Sequence, residues 1–146
     1  MSSVRKLPSR KHIALVAHDN KKQDLIEWVK LNKNTLSKHH LLATGSTGEL
    51  IENELKTKVE KLLSGPLGGD QQIGAMIAEG KINVLIFFWD TMKAQPHDSD
   101  VKALMRIAVT WNVIIACNLS TADFITGSLL MDTEYEAAIN DFEEYS

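Results

Sequence analysis

A single cysteine, Cys117, leaves this chain without an intrachain disulfide framework and without a multi-cysteine metal site. Long apolar runs are missing too: the longest, Val84 to Trp89, is far too short to span a bilayer. The basic residues Arg5, Lys6, Arg10 and Lys11 are not followed by the apolar core that a signal peptide requires. No strong excess of one charge is present. The formal net charge of −3 draws the whole chain neither to nucleic acid nor to an anionic membrane. No linker, low-complexity tract or repeat interrupts the sequence. Together these absences predict a soluble cytoplasmic protein with no nucleic-acid or membrane partner.

What is present, 44% hydrophobic and 24% charged residues over 146 positions, is the composition of one ordinary globular domain. Strand-like and helix-like stretches alternate about five times. His12–Ala17 is a continuous apolar run, as a buried parallel strand should be. Short strands follow near 40–43, 59–63 and 113–116, and Val84–Phe88, apolar on both faces, is the clearest and belongs at the centre. Between them, Leu25, Ile26, Val29 and Leu36 recur at roughly helical spacing, and Leu50 and Ile51 mark a second helix. Ile73, Met76 and Ile77 give a third its stripe, with Gly80 as its stop. Val101, Leu104, Met105 and Ala108 give a fourth, and residues 119–127 a fifth. This alternation predicts a three-layer α/β/α fold on a five-stranded parallel sheet. Residues 1–146 read as a single domain, with a core at 7–127 and an acidic tail at 128–146 to which no element is assigned.

In such folds ligands bind at the carboxyl ends of the strands, so the loops that follow the strands should gather on one edge. Ser64-Gly-Pro-Leu-Gly-Gly-Asp-Gln-Gln72 is the most unusual of these loops. Its glycines and proline suggest a backbone shaped to approach something closely, and Asp70 ends it at the apparent start of a helix. Asp70 is then either a helix N-cap, held ionised by N–H donors, or a general base, which needs a raised pKa. Thr44-Gly-Ser-Thr-Gly48 is either an anion cradle at a helix N-terminus or a capping segment with Ser46 or Thr47 as the cap. It has neither the Walker ending nor the dinucleotide fingerprint. Lys22, four residues after His18, points at the same edge if its helix begins near Asn20. In His97-Asp98-Ser99-Asp100, Asp98 or Ser99 serves as the cap of the next helix, and a histidine among carboxylates suits proton transfer. No HxH or HExxH spacing favours a metal. Trp89 and Trp111 read as core or interface residues, and Cys117 as a buried hydrophobe.

The segments HIALVAHD (12–19), ATGSTG (43–48), LSGPLGGDQQIGA (63–75), VLIFFWD (84–90), HDSDVKALMRIA (97–108) and STADFI (120–125) closely resemble the methylglyoxal synthases. These are lyases that convert dihydroxyacetone phosphate to methylglyoxal and phosphate. The resemblance covers residues 7–127 and implies a flavodoxin-like α/β fold, a homohexamer, and no cofactor or metal. It implies that Asp70 takes the proton from substrate carbon and that His97 polarises the carbonyl or moves protons between the enediol oxygens. Asp100 would support both, with Asp19 and Asp90 in outer roles. His18, Lys22, Thr44, Gly45, Ser46, Thr47, Ser64 and Gly65 would hold the substrate, its phosphate on the 44–47 cradle. Inorganic phosphate would be product and candidate inhibitor. Ser46 replaces a common threonine, and Thr91 and Ser99 replace prolines of the pattern. In some relatives a C-terminal arginine helps phosphate regulation, but here no lysine or arginine follows Arg106. Small-molecule regulatory domains of the same fold are the alternative, and a phosphosugar isomerase would differ only in retaining phosphate.

Overall fold

A strand buried on both faces must be apolar at every position, whereas one face of a helix suffices to bury it. In the computed structural model, which describes residues 3–140 and 142, that rule sorts the chain. The strands are β1 (Ser3–Leu7), β2 (His12–Ala17), β3 (His40–Thr44), β4 (Val59–Leu62), β5 (Val84–Phe88), β6 (Ile114–Ala116) and β7 (Tyr135–Ile139). The helices are α1 (Lys22–Leu31), α2 (Lys33–Leu36), α3 (Thr47–Leu55), α4 (Gly69–Ala78), α5 (Asp98–Thr110) and α6 (Leu119–Thr126). Strands β2 to β6 form one parallel sheet in the spatial order β4-β3-β2-β5-β6, with Ile13 paired to both Leu41 and Val84. The three-layer, flavodoxin-like class is therefore borne out. Counted along the sheet strands the order is 3-2-1-4-5, whereas flavodoxin itself runs 2-1-3-4-5.

Alternate side chains of each strand serve opposite layers. Ile13, Leu15 and Ala17 of β2, with Val84, Ile86 and Phe88 of β5, pack against Leu25, Trp28 and Val29 of α1 and Ile51 and Leu55 of α3. Ala14, Val16, Leu85 and Phe87 face the other way, onto Ile73 and Ile77 of α4 and Val101, Leu104 and Ala108 of α5. All five residues of β5 are buried, as its uninterrupted apolar run required.

Three features depart from the sequence reading. The stretch Leu25–Leu36 is broken at Asn32 (φ −109°, ψ 20°), whose side-chain amide donates to the Trp28 carbonyl at 2.8 Å and ends α1. The acidic tail contains an element after all: β7 pairs antiparallel with β1, Arg5 opposite Ala137. The N-terminal basic cluster, to which the sequence reading assigned no role in the fold, is partly structural. The Arg5 guanidinium donates to the Ile77 and Ala78 carbonyls at the end of α4, at 2.7 and 2.6 Å, and stacks 3.8 Å over Trp111. Lys11 is fully buried, its ammonium donating to the Pro8 and Thr133 carbonyls. Trp111 also packs edge-on against Phe142, and Trp89 is half-buried against the α4–α5 side of the core. No helix among the described residues is long and apolar enough to cross a membrane.

Candidate active site

The chain leaves β2 toward one face of the sheet and β5 toward the other, which opens a crevice beyond their carboxyl ends. A cavity of about 110 Å³ occupies it, floored by Val16, Ala17 and Phe87. His18 and Lys22 enter from behind β2, Thr44, Gly45 and Thr47 from behind β3, Ser64 and Gly65 from behind β4, and His97 from behind β5.

The glycine-rich loop is wound so that Asp70 meets this cavity. The N–H groups of Leu67 and Gly69 both donate to the Ser64 carbonyl, at 3.0 and 2.9 Å. Gly68 (φ +114°) then turns the chain into α4. Gly69 passes so close to the end of β4 that a Cβ there would lie 2.0 Å from the Leu63 carbonyl oxygen. Asp70 is consequently not the N-cap that the sequence allowed. Gly68 holds that position, and Asp70 sits inside the first turn, 2% exposed, with neither carboxylate oxygen hydrogen-bonded. Burial pushes its pKa above the ordinary carboxylate value, Asp100 adds to the rise, and only His97 opposes it. The cap reading of Asp70 is thus excluded, and its raised pKa is of the kind a general base requires.

His97 Nε2 stands 3.8 Å from Asp70 Oδ2, beyond hydrogen-bond reach, and His97 Nδ1 is buried without a partner. A Cβ on Gly65 would fall 2.9 Å from His97 Nε2 and 3.4 Å from Asp70 Oδ1, so the bare glycine keeps the space between base and imidazole open. His97, rather than Asp98 or Ser99, occupies the N-cap position of α5, and the Asp98 carboxylate instead accepts the N–H of Gln95 at 3.1 Å. His18 packs edge-on to His97 at 5.6 Å between ring centres. Its Nδ1 accepts the N–H of Asp90 at 3.0 Å, and burial lowers its pKa. The neutral ring therefore carries its proton on Nε2, which has no protein partner.

At the other end of the cavity, Thr44 and Thr47 are buried hydroxyl residues beside the first N–H groups of α3. Ser46 takes the N-cap position without capping; its hydroxyl accepts from Lys22 Nζ at 3.3 Å. Lys22 is also paired with the exposed Asp19 at 3.1 Å. Hydroxyls, free N–H groups and an ammonium make this end suited to an oxyanion, while the Asp70 end suits proton transfer.

Residues 24–117 match the family described as MGS-like domain. A methylglyoxal synthase of Saccharophagus degradans is 58% identical over 139 residues, spanning 95% of this chain and 90% of that protein. A methylglyoxal synthase of Pectobacterium atrosepticum is 52% identical over 143 residues, spanning 98% and 94%. The crystal structure of methylglyoxal synthase from Elizabethkingia anophelis, 58% identical, superposes with a TM-score of 0.92 over 98% of this chain and 94% of that one. The chain belongs to the methylglyoxal synthase family.

Of the residues expected from that family, Ser46, Asp90 and Asp100 do not line the cavity. Ser46 acts on Lys22, as above. Asp90 braces the loop: its carboxylate accepts from the Met92 N–H at 3.1 Å and the Asn20 amide at 3.0 Å, which hold its pKa down. Asp100 instead lines, together with Asp70, a separate groove between α4 and α5. Sequence reasoning missed Val16, Ala17, Pro66, Phe87 and Gln95 in the wall. Pro66 and Phe87 lie within segments already singled out, whereas nothing in the local pattern marks Gln95. Among the described residues no group of three or more His, Cys, Asp or Glu is placed to hold a metal ion. Cys117 is half-buried, its thiol 3.8 Å from the Met105 sulfur and raised in pKa by burial, so it is not a reactive thiolate.

Proposed function

We propose that this protein converts dihydroxyacetone phosphate to methylglyoxal and inorganic phosphate, with Asp70 as the base. The observation that carries the reading is the Asp70 carboxylate: buried, unpartnered, and facing two imidazoles across a cavity whose far end suits phosphate. A carboxylate stripped of hydrogen bonds is a stronger base than one in water, and burial supplies that change.

The chemistry dictates which proton is removed. Loss of a proton from the hydroxyl-bearing carbon leaves phosphate on the carbon next to the new double bond, from which it can be expelled. Loss from the phosphate-bearing carbon would leave it on the double bond itself. Asp70 takes the proton, the C–H electron pair becomes the carbon–carbon double bond, and the carbonyl pair moves onto oxygen. The Nε2 proton of His18 and the imidazole of His97 stabilise that oxyanion. His97 then moves a proton between the two oxygens so that charge rests on the terminal one. Its electron pair forms the aldehyde, the double bond shifts, and the C–O bond breaks with its pair on phosphate. The enol left behind tautomerises to methylglyoxal. Lys22, Thr44, Gly45, Ser46, Thr47, Ser64 and Gly65 hold the substrate, Asp100 sustains the raised pKa of Asp70, and Asp19 and Asp90 position Lys22 and His18. Exposed apolar side chains, Leu67, Val109, Phe124 and Leu129 among them, support assembly into a homohexamer. The phosphorylated substrate and the free cysteine suit a cytoplasmic location.

The test is product analysis with dihydroxyacetone phosphate, with Asp70→Asn alongside. Equal amounts of methylglyoxal and phosphate, absent with the variant, are expected. Glyceraldehyde phosphate without phosphate release would make the protein an isomerase. Substrate binding without turnover would make it a regulatory module.

A further inference from the structure

Gln95 is a polar residue of the cavity wall whose side chain neither the fold nor the reaction described above uses. The loop after β5 leaves Thr91 to Ala94 exposed and returns at Gln95, which is half-buried and lines the cavity. Asp98 pins this return from both directions. Its Oδ2 accepts the Gln95 N–H at 3.1 Å, and its own N–H donates to the Gln95 carbonyl at 3.3 Å. Pro96 stiffens the backbone between Gln95 and His97. The main chain of Gln95 is therefore held, while its side-chain amide has no hydrogen bond to any described residue.

The chemistry of that amide fits one part of the substrate. An amide presents donor and acceptor together, and a hydroxyketone needs both: a donor for its carbonyl or oxyanion, an acceptor for its hydroxyl. Gln95 is two residues from His97, whose imidazole faces Asp70, and it enters from behind β5. The oxyanion end is built by other segments, those behind β3 and at the start of α1.

We propose that Gln95 is a substrate-binding residue that hydrogen-bonds the hydroxyketone end of the substrate, a role that rests on the lyase reading above. Gln95→Leu keeps the approximate volume and removes both hydrogen-bonding groups. It sits on a half-buried loop outside both apolar layers, so the fold is retained, which a thermal melt checks. Steady-state kinetics on dihydroxyacetone phosphate, with inorganic phosphate as inhibitor, give the readout. Loss of one neutral hydrogen bond should raise KM by about fivefold to tenfold. The inhibition constant for phosphate, which has no hydroxyketone, should not move. An active wild type with an unchanged KM in the variant overturns the proposal. A phosphate inhibition constant that rises in step with KM also overturns it, because Gln95 would then contact the phosphate. Failure of the lyase reading looks different: the wild-type protein itself makes no methylglyoxal, and the proposal falls with it.

Discussion

Gly65→Ala places one methyl group between the two residues on which the proposed chemistry turns. The backbone of Gly65 is outside the left-handed region, so alanine adopts it without strain. The new Cβ would stand 2.9 Å from His97 Nε2, 3.3 Å from His97 Cδ2 and 3.4 Å from Asp70 Oδ1. Ordinary contact begins near 3.4 Å, so the imidazole must retreat by about half an ångström, and the methyl then occupies space meant for substrate. A misplacement of about 1 Å at reacting groups costs about a hundredfold in rate, so kcat/KM should fall by about tenfold to a hundredfold. Little of this should reach the fold, because the neighbour that yields is the end of a side chain. Gly69→Ala is the contrast: there the obstacle is the Leu63 carbonyl at 2.0 Å, and the glycine-rich loop cannot form as built. Initial rates of methylglyoxal formation and thermal melts on both variants separate the two cases. A Gly65→Ala protein with wild-type kcat/KM, or one whose activity falls only as far as its stability does, would refute this account of the site.

Burial holds the Asp70 pKa above its unfolded value, so the folded state gains stability from this group below the ordinary carboxylate pKa and loses it as pH rises through the raised value. Asp70→Asn should therefore be inactive yet melt at or above the wild-type temperature at neutral pH, with the advantage shrinking toward pH 4; melts across that range check it. Asp100 contributes to the rise at Asp70, so Asp100→Asn should move the acid limb of the kcat/KM profile to lower pH, read from rates across that limb. Arg5→Ala removes two charge-assisted bonds from the end of α4 and a stack on Trp111, and should cost about 1–3 kcal/mol in a denaturant melt.

The sheet strands and the helices packed on them were legible because apolar periodicity is a local property. His12–Ala17 and Val84–Phe88 have to be buried on both faces wherever they lie, and the stripe Val101, Leu104, Ala108 has to face a core. The motif-bearing loops were legible too, since a turn as tight as Ser64–Asp70 needs its glycines in sequence. The pairing of β1 with β7 was not: its partners lie at opposite ends of the chain, and strands exposed along much of their length carry weak patterning.

The roles within the site divide in the same way. Sequence by itself determined most of the chemical groups that crowd the carboxyl edge of the sheet, because each lies in the segment that joins a strand to the next helix or at that helix's start. Only the tertiary structure decided what those groups are. Asp70 became an unpartnered buried acid instead of a cap because Gly68 turns the helix two residues earlier than the pattern suggests, and Asp100, from another helix, adds to the rise in its pKa. Gln95 came to the cavity through the bonds of Asp98 to its main chain, and His18 was fixed as a donor by the N–H of Asp90. Protonation and hydrogen-bonding capacity depend on burial and on neighbours distant along the chain, and folding brings those neighbours together.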